Sequence, residues 1–281
     1  MGEADAAIRA LACIVSACDK FGIGRKDNAM SHAELIGSSA NALVARLRKG
    51  EVKPHDCLDA LEARISQVEN KINALPILCF DRARKHADAL MKKPPAERGL
   101  LAGLPVPIKD LSWVAGVRST SGSPIFKDHV PDTSDILVEK IEAEGGIVYA
   151  KSNTPEFGAG ANTFNPVFGA TLNPWNTSRT SAGSSGGAAA SLAAGEAWLA
   201  HGSDMGGSLR NPASFCGIVG MRPTPGRVAS NNRAIIDQTL GVQGPMARTV
   251  EDLALLFDAM SGEDRRDLLS KPRPAKSFLS E

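Results

Sequence analysis

Two short runs of glycine and small hydroxyl residues constrain this 281-residue chain more than any other feature. The first is Ser181-Ala182-Gly183-Ser184-Ser185-Gly186-Gly187-Ala188-Ala189-Ala190, and the second is Gly202-Ser203-Asp204-Met205-Gly206-Gly207-Ser208-Leu209-Arg210. Glycine permits backbone conformations closed to other residues and lets a second backbone or a ligand approach closely. Such runs therefore belong at tight turns between packed elements, and the flanking sequence supplies the elements. After Gly99, apolar stretches at 104–108, 147–150 and 197–201 read as buried strands. Helical patterns lie between them, chiefly 134–144 before Gly145-Gly146. Strand, helix and strand at this spacing predict an α/β layered domain with a mixed, mostly parallel sheet surrounded by helices.

Before Gly99 the pattern is helical. Leu43, Val44 and Leu47 mark one segment that Gly50 stops, and Pro54 opens another carrying Leu58, Leu61, Ile65 and Val68 at spacings of three and four. A third covers 80–91, and Lys92-Lys93-Pro94-Pro95 breaks it. A last amphipathic helix is expected over 250–260. The resulting division is an extension at 1–30 with weak apolar helix character, a helical segment at 31–95, an α/β core at 96–264 and a polar tail at 265–281.

Composition removes several classes of function. With 32 basic and 31 acidic side chains, the formal charge of +1 offers no electrostatic footprint for nucleic acid or an anionic membrane. A 43% hydrophobic content is too high for a disordered chain, and no uninterrupted apolar run reaches the length of about 18 residues a membrane span needs. Cys13, Cys18, Cys57, Cys79 and Cys216 are odd in number and irregularly spaced, and the five histidines are scattered, so neither a disulfide framework nor a zinc cage is expected. The apolar run at 8–18 follows Glu3 and Asp5 and contains Arg9, the wrong charge order for a secretory signal. These features predict reduced thiols and a cytoplasmic location.

Several chemistries compete for the two clusters. A phosphate cradle needs a lysine within the glycine loop, and neither run has one. Gly183-Ser184-Ser185-Gly186-Gly187 fits the nucleophile elbow with Ser185 central, but only His201 follows it, with Glu196 the only acid between them. A serine/lysine hydrolase fits better. Lys109 ends an apolar strand with Leu104, Val106 and Ile108, where burial would disfavour its charge and leave a neutral amine able to act as a base. The amides of 205–208 could receive an oxyanion. Against all of these stands the plain alternative of loops that connect strands and pack tightly.

Taken together, the run from Gly103 to about Asp264 resembles the amidase signature family. Its hallmark, Gly-Ser-Ser-Gly-Gly followed by Gly-Thr/Ser-Asp-x-Gly-Gly-Ser-Ile/Leu-Arg, is present here as residues 183–187 and 202–210. The phrases around Gly103-Leu104-Pro105, Lys109-Asp110, Lys151-Ser152-Asn153-Thr154, Asn173-Pro174-Trp175, Asn211-Pro212-Ala213 and Gly244-Pro245-Met246-Ala247-Arg248 follow in the family order. The resemblance implies a Ser–cis-Ser–Lys triad: Ser208 as nucleophile, Ser184 as bridging serine and Lys109 as base, with separations of 24 and 75 residues. It assigns the oxyanion or substrate contacts to Met205, Gly206 and Gly207, and supporting roles to Ser185, Ser203, Asp204 and Arg210. No metal or organic cofactor is implied.

The expected activity is hydrolysis of a small carboxamide through a serine acyl-enzyme. Two alternatives stand beside it: a glutaminase-type subunit of a tRNA-dependent amidotransferase, and an inactive truncated member. Family members normally continue well past this endpoint, so the partners expected are a small-molecule amide and either a second copy of the chain or a missing C-terminal half, with no nucleic acid and no membrane.

Overall fold

A computed structural model describes residues 30–231 and 238–280; the helix expected within residues 1–29 lies outside them. Eight α-helices and ten short strands are present among the described residues.

The N-terminal helices form where the sequence places their caps. Ser31 opens α1 (His32–Gly37) with a capping box, its hydroxyl accepting from the Glu34 amide while the Glu34 carboxylate accepts from the Ser31 amide. Ser39 caps α2 (Ala40–Lys49), and Gly50 ends it at φ 72°, in the left-handed region that glycine occupies without strain. Pro54 is the first residue of α3 (Pro54–Ile72). The stripe of Cys57, Leu58, Leu61 and Ile65 buries one face of this helix in the main core. Strand β1 (Ile77–Leu78) and α4 (Phe80–Met91) complete this part.

The centre is a parallel pair, β2 (Pro105–Lys109) and β3 (Ile147–Ser152), joined through α5 (Ile136–Ala143). Every residue of both strands is buried, as expected of strands covered on both faces. β1 pairs antiparallel with the outer side of β3. Two hairpins follow, β4 (Phe164–Asn165) with β5 (Gly169–Ala170), and β6 (Leu172–Asn173) with β7 (Asn176–Thr180). The first glycine cluster then runs into α6 (Gly186–Ala193), whose two opening glycines have no room for a side chain. A Cβ at Gly187 would lie 2.3 Å from the Asn153 amide nitrogen, and one at Gly186 would lie 2.3 Å from Thr163 Oγ1. β8 (Leu199–Asp204) leads into the second cluster and α7 (Arg210–Cys216). β10 (Val242–Ala247) pairs antiparallel with β8 along six residues and with β9 (Val219–Gly220), and α8 (Val250–Met260) closes the described core.

Only the β1–β3–β2 sheet is therefore mixed: among the described residues the other three sheets are antiparallel, and β2–β3 is the parallel strand pair, with one isolated parallel bridge between Val228 and Gly262. The antiparallel pairs arise because the chain returns to β8 through β10 and forms hairpins between 164 and 180. The polar segment after 264 does not hang free. Phe278 stacks on Phe257 with centroids 4.2 Å apart, and Asp258 accepts from the Phe278 amide at 3.0 Å. Asp267, 6% exposed, accepts from the Ser230 amide at 2.9 Å. Charge composition hides this docking, because the segment is anchored by a few residues rather than by an apolar face. No helix of the described residues is long and apolar enough to cross a membrane.

Candidate active site

Lys109 ends β2 with its side chain fully buried among hydroxyls. Its Nζ lies 2.7 Å from Ser184 Oγ, 2.8 Å from Ser185 Oγ and 3.0 Å from Ser203 Oγ. Three hydroxyls thus match the three N–H groups of an ammonium. Desolvation outweighs that satisfaction: burial pushes the Lys109 pKa down from 10.5 to about 7, with the Asp204 carboxylate acting in the opposite direction. An exposed lysine would be almost wholly charged at neutral pH. Burial moves this one toward the neutral amine.

The hydroxyls around Nζ are not equivalent. Ser185 Oγ donates to the Ser203 carbonyl at 3.2 Å and also receives the Ser203 amide at 3.2 Å. Its proton is committed, which removes Ser185 as the nucleophile of an elbow. Ser184 Oγ has no such acceptor among the described residues, so its proton is available to a neutral Lys109 amine. Ser184 follows a cis peptide bond from Gly183. The turn is held by Thr163, whose hydroxyl donates to the Ala182 carbonyl at 2.9 Å and accepts from the Gly186 amide at 3.0 Å.

Ser208 sits on the second glycine turn, half-buried. Its carbonyl accepts from the Ser185 amide at 3.2 Å, which brings the two clusters side by side. Its hydroxyl makes no hydrogen bond to a described residue. The structure therefore gathers Lys109, Ser184, Ser185 and Ser203 directly, and places Ser208 beside them on the adjoining turn.

Asp204 shapes that turn. Its buried carboxylate accepts from the amides of Gly207 at 2.9 Å and Leu209 at 3.1 Å, and from Arg210 Nε at 3.1 Å. Burial alone would raise its pKa, but the Arg210 guanidinium and the two amides hold it well below the usual carboxylate range. Arg222, a residue to which the sequence attaches no role, donates to the same carboxylate at 3.1 Å and to the Asp204 carbonyl. Asp204 is thus ionised and clamped between two arginines, as a buried carboxylate must be to remain charged.

One expectation changes here. Gly207, at φ 114°, turns its N–H onto Asp204, so that amide is spent within the loop. Among the described residues, the amides of Met205, Gly206 and Ser208 make no hydrogen bond. Met205 is 66% exposed, so its side chain borders solvent at the turn.

A second buried lysine supports the first. Lys151 on β3 lies 2.9 Å from Asp110 Oδ1 and 2.8 Å from Ser119 Oγ. Asp110 also accepts from the Thr120 amide and hydroxyl. This cluster fixes the chain just past the end of β2, next to Lys109. The sequence shows Asp110 and Lys151 only as members of matching phrases, because nothing local indicates that they meet.

Among protein families, the Amidase model matches residues 56–281. The chain belongs to the amidase family. It is 40% identical over 247 residues to a glutamyl-tRNA(Gln) amidotransferase subunit of Halothermothrix orenii, covering 88% of this chain and 50% of that protein. It is 41% identical over 248 residues to the corresponding protein of Bacillus velezensis, covering 88% and 51%. Among solved structures, it is similar to a 6-aminohexanoate cyclic dimer hydrolase complexed with substrate, with a TM-score of 0.80, 33% identity and coverage of 88% of this chain and 51% of that one. A bacterial aryl acylamidase of the amidase signature family aligns with a TM-score of 0.80 at 33% identity, covering 86% and 51%. The chain spans about half the length of the curated relatives it matches.

Proposed function

We propose that this chain carries the hydrolytic centre of an amidase, in which Lys109, Ser184 and Ser208 pass a proton and form a serine acyl-enzyme. The observation that carries this reading is the buried Lys109 amine, 2.7 Å from Ser184 Oγ, whose burial lowers its pKa from 10.5 to about 7. Neutral Lys109 takes the Ser184 proton as Ser184 takes the proton of Ser208. The Ser208 oxygen then adds to the amide carbon. The carbonyl electrons move to oxygen, where the amides of Met205, Gly206 and Ser208 stabilise the charge. The proton returns from Lys109 through Ser184 to the leaving nitrogen, which cannot depart as an anion. The C–N bond breaks, and water attacks the ester by the same relay, releasing the acid and Ser208.

Two substrate classes follow from different likenesses. Relatives named as glutamyl-tRNA(Gln) amidotransferase subunits, at 38–41% identity over 80–89% of the chain, favour a glutamine-type carboxamide with ammonia passed to a partner. The likeness to hydrolases among the solved structures favours a small amide cleaved without one. Ammonia release from glutamine, measured with and without amidotransferase partner proteins, separates these readings from hydrolysis of small aryl and alkyl amides by the chain alone. In either case Ser208→Ala is expected to lower turnover at least a thousandfold with the melting temperature unchanged. Turnover within tenfold of the parent would refute the assignment of Ser208.

A further inference from the structure

His201 is fully buried in β8 and faces the base strand rather than solvent. β2 is laddered to β3 on one side, with Lys109 opposite Ser152. On its other side lies β8, and no strand ladder joins the two among the described residues. At that gap the Lys109 backbone N–H donates to Nδ1 of His201 at 3.2 Å. A side chain thus does the work of a ladder partner at the residue that carries the amine. The opposite ring nitrogen, Nε2, lies 2.8 Å from Gln243 Oε1 on β10, and Gln243 is opposite Ser203 in the β8–β10 register.

These contacts fix the tautomer. Nδ1 accepts a hydrogen bond from the Lys109 backbone N–H, so it carries no proton of its own, and Nε2–H must donate to the Gln243 oxygen. An imidazolium would set two donors against each other at the Lys109 amide. Burial lowers the pKa of the ring to about 3; the hydrogen bond to Gln243 opposes this, and the neighbouring Lys109 and Lys151 amines act with it.

We infer that His201 is a positioning residue for the amine of Lys109, with Gln243 selecting the tautomer that can hold the Lys109 backbone. The inference rests on the amide-hydrolase reading above. The physical reason is register. β8 carries both His201 and Ser203, whose hydroxyl is 3.0 Å from Lys109 Nζ, and it continues into the turn bearing Ser208. Holding β2 to β8 at Lys109 therefore sets the amine against the hydroxyls and keeps water from it. The groups facing the amine are the hydroxyls of Ser184, Ser185 and Ser203 and the charge of Asp204. Those facing the imidazole are Gln243, Lys109 and Lys151.

Three variants and one spectrum test this. His201→Leu keeps apolar bulk but removes the acceptor. It is expected to lower kcat at pH 7 at least tenfold with KM within threefold, and to move the acid limb of the kcat profile upward, because desolvation is the largest cause of the low Lys109 pKa and a loosened strand admits water. His201→Asn, whose side-chain oxygen stands where Nδ1 accepts, is expected to return kcat to within threefold of the parent. Gln243→Met is expected to move the acid limb in the same direction without altering any group in contact with Lys109. A folded His201→Leu protein with parental kcat and acid limb would overturn the inference, as would failure of Asn to improve on Leu. Nitrogen-15 NMR of the parent imidazole gives a readout that needs no turnover. A bare Nδ1 and protonated Nε2 between pH 5 and 9 are expected, and Nδ1–H or an imidazolium in that range would overturn it. If the parent hydrolyses no amide, the hydrolase reading fails on its own while the spectrum still decides the His201 assignment.

Discussion

Replacing Lys109 by Met removes one ionisable group while filling much the same space, and it isolates the energetic cost of burying the amine. In the parent, the folded-state pKa of Lys109 falls from 10.5 to about 7. Below pH 7 both folded and unfolded chains hold the proton, and the whole penalty, about 5 kcal/mol, weighs on the fold. Between pH 7 and 10.5 the unfolded chain holds more protons than the folded one, so parent stability rises with pH by at most about 1.4 kcal/mol per pH unit. Above 10.5 the penalty is gone. Methionine has no such dependence. The Lys109→Met variant is therefore expected to exceed the parent in stability by the widest margin near pH 6, with the margin shrinking by about 3 kcal/mol by pH 9. Urea unfolding followed by tryptophan fluorescence, to which buried Trp198 contributes, measures both proteins across this range. Subtracting the two curves cancels every group they share. A margin that stays constant from pH 6 to 9 would show that the Lys109 amine titrates at its ordinary value, and the neutral-base argument would fall.

Two other perturbations probe the supporting structure. Asp204→Asn sets an amide donor among the Gly207 and Leu209 amides and the Arg210 and Arg222 guanidinium groups. It is expected to cost about 3 kcal/mol in thermal unfolding and to lower turnover at least tenfold, whereas parental melting and activity would show that the clamp is dispensable. Glu196 is buried, and desolvation together with the nearby Glu69 carboxylate pushes its pKa up to about 9, opposed by Arg64. From about pH 4.5 to 9 the unfolded chain gives up a proton that the fold retains, so this site loses stability as pH rises. Glu196→Gln is expected to gain on the parent in melting temperature between pH 5 and 8.5, and a gap that narrows with pH would contradict it.

The sequence marks helices well where their caps are local. The segment marked by Leu43, Val44 and Leu47 and those expected at 80–91 and 250–260 match α2, α4 and α8; Ser39 and Thr249 accept from the first turns of α2 and α8 and Gly50 ends α2, whereas α4 has no side-chain cap and follows its apolar spacing alone. Strands that owe their form to a distant partner are harder to see. The third strand, expected to stop at His201, continues to Asp204 because β10 pairs with it residue by residue. β10 itself contains Gly244 and Pro245, which argue against a strand when read locally. The same division holds at the site. Lys109, Ser184, Ser185 and Ser203 are legible through the motif and converge in space. The turning of the Gly207 amide onto Asp204 is a φ that sequence does not specify. His201 and Arg222 carry no local signal, since a buried histidine and a loop arginine look alike whether or not they meet a group of the candidate site.

The most direct measurement is the rate at which a fluorophosphonate labels the protein as a function of pH, with the modified residue located by peptide mass spectrometry. The expected result is a single adduct on Ser208 that forms faster as pH rises through about 7 and falls at least a hundredfold in both Ser184→Ala and Lys109→Met. An adduct on a different serine, or a rate on Ser208 indifferent to pH and to both substitutions, would contradict the claim that a buried neutral amine activates this centre.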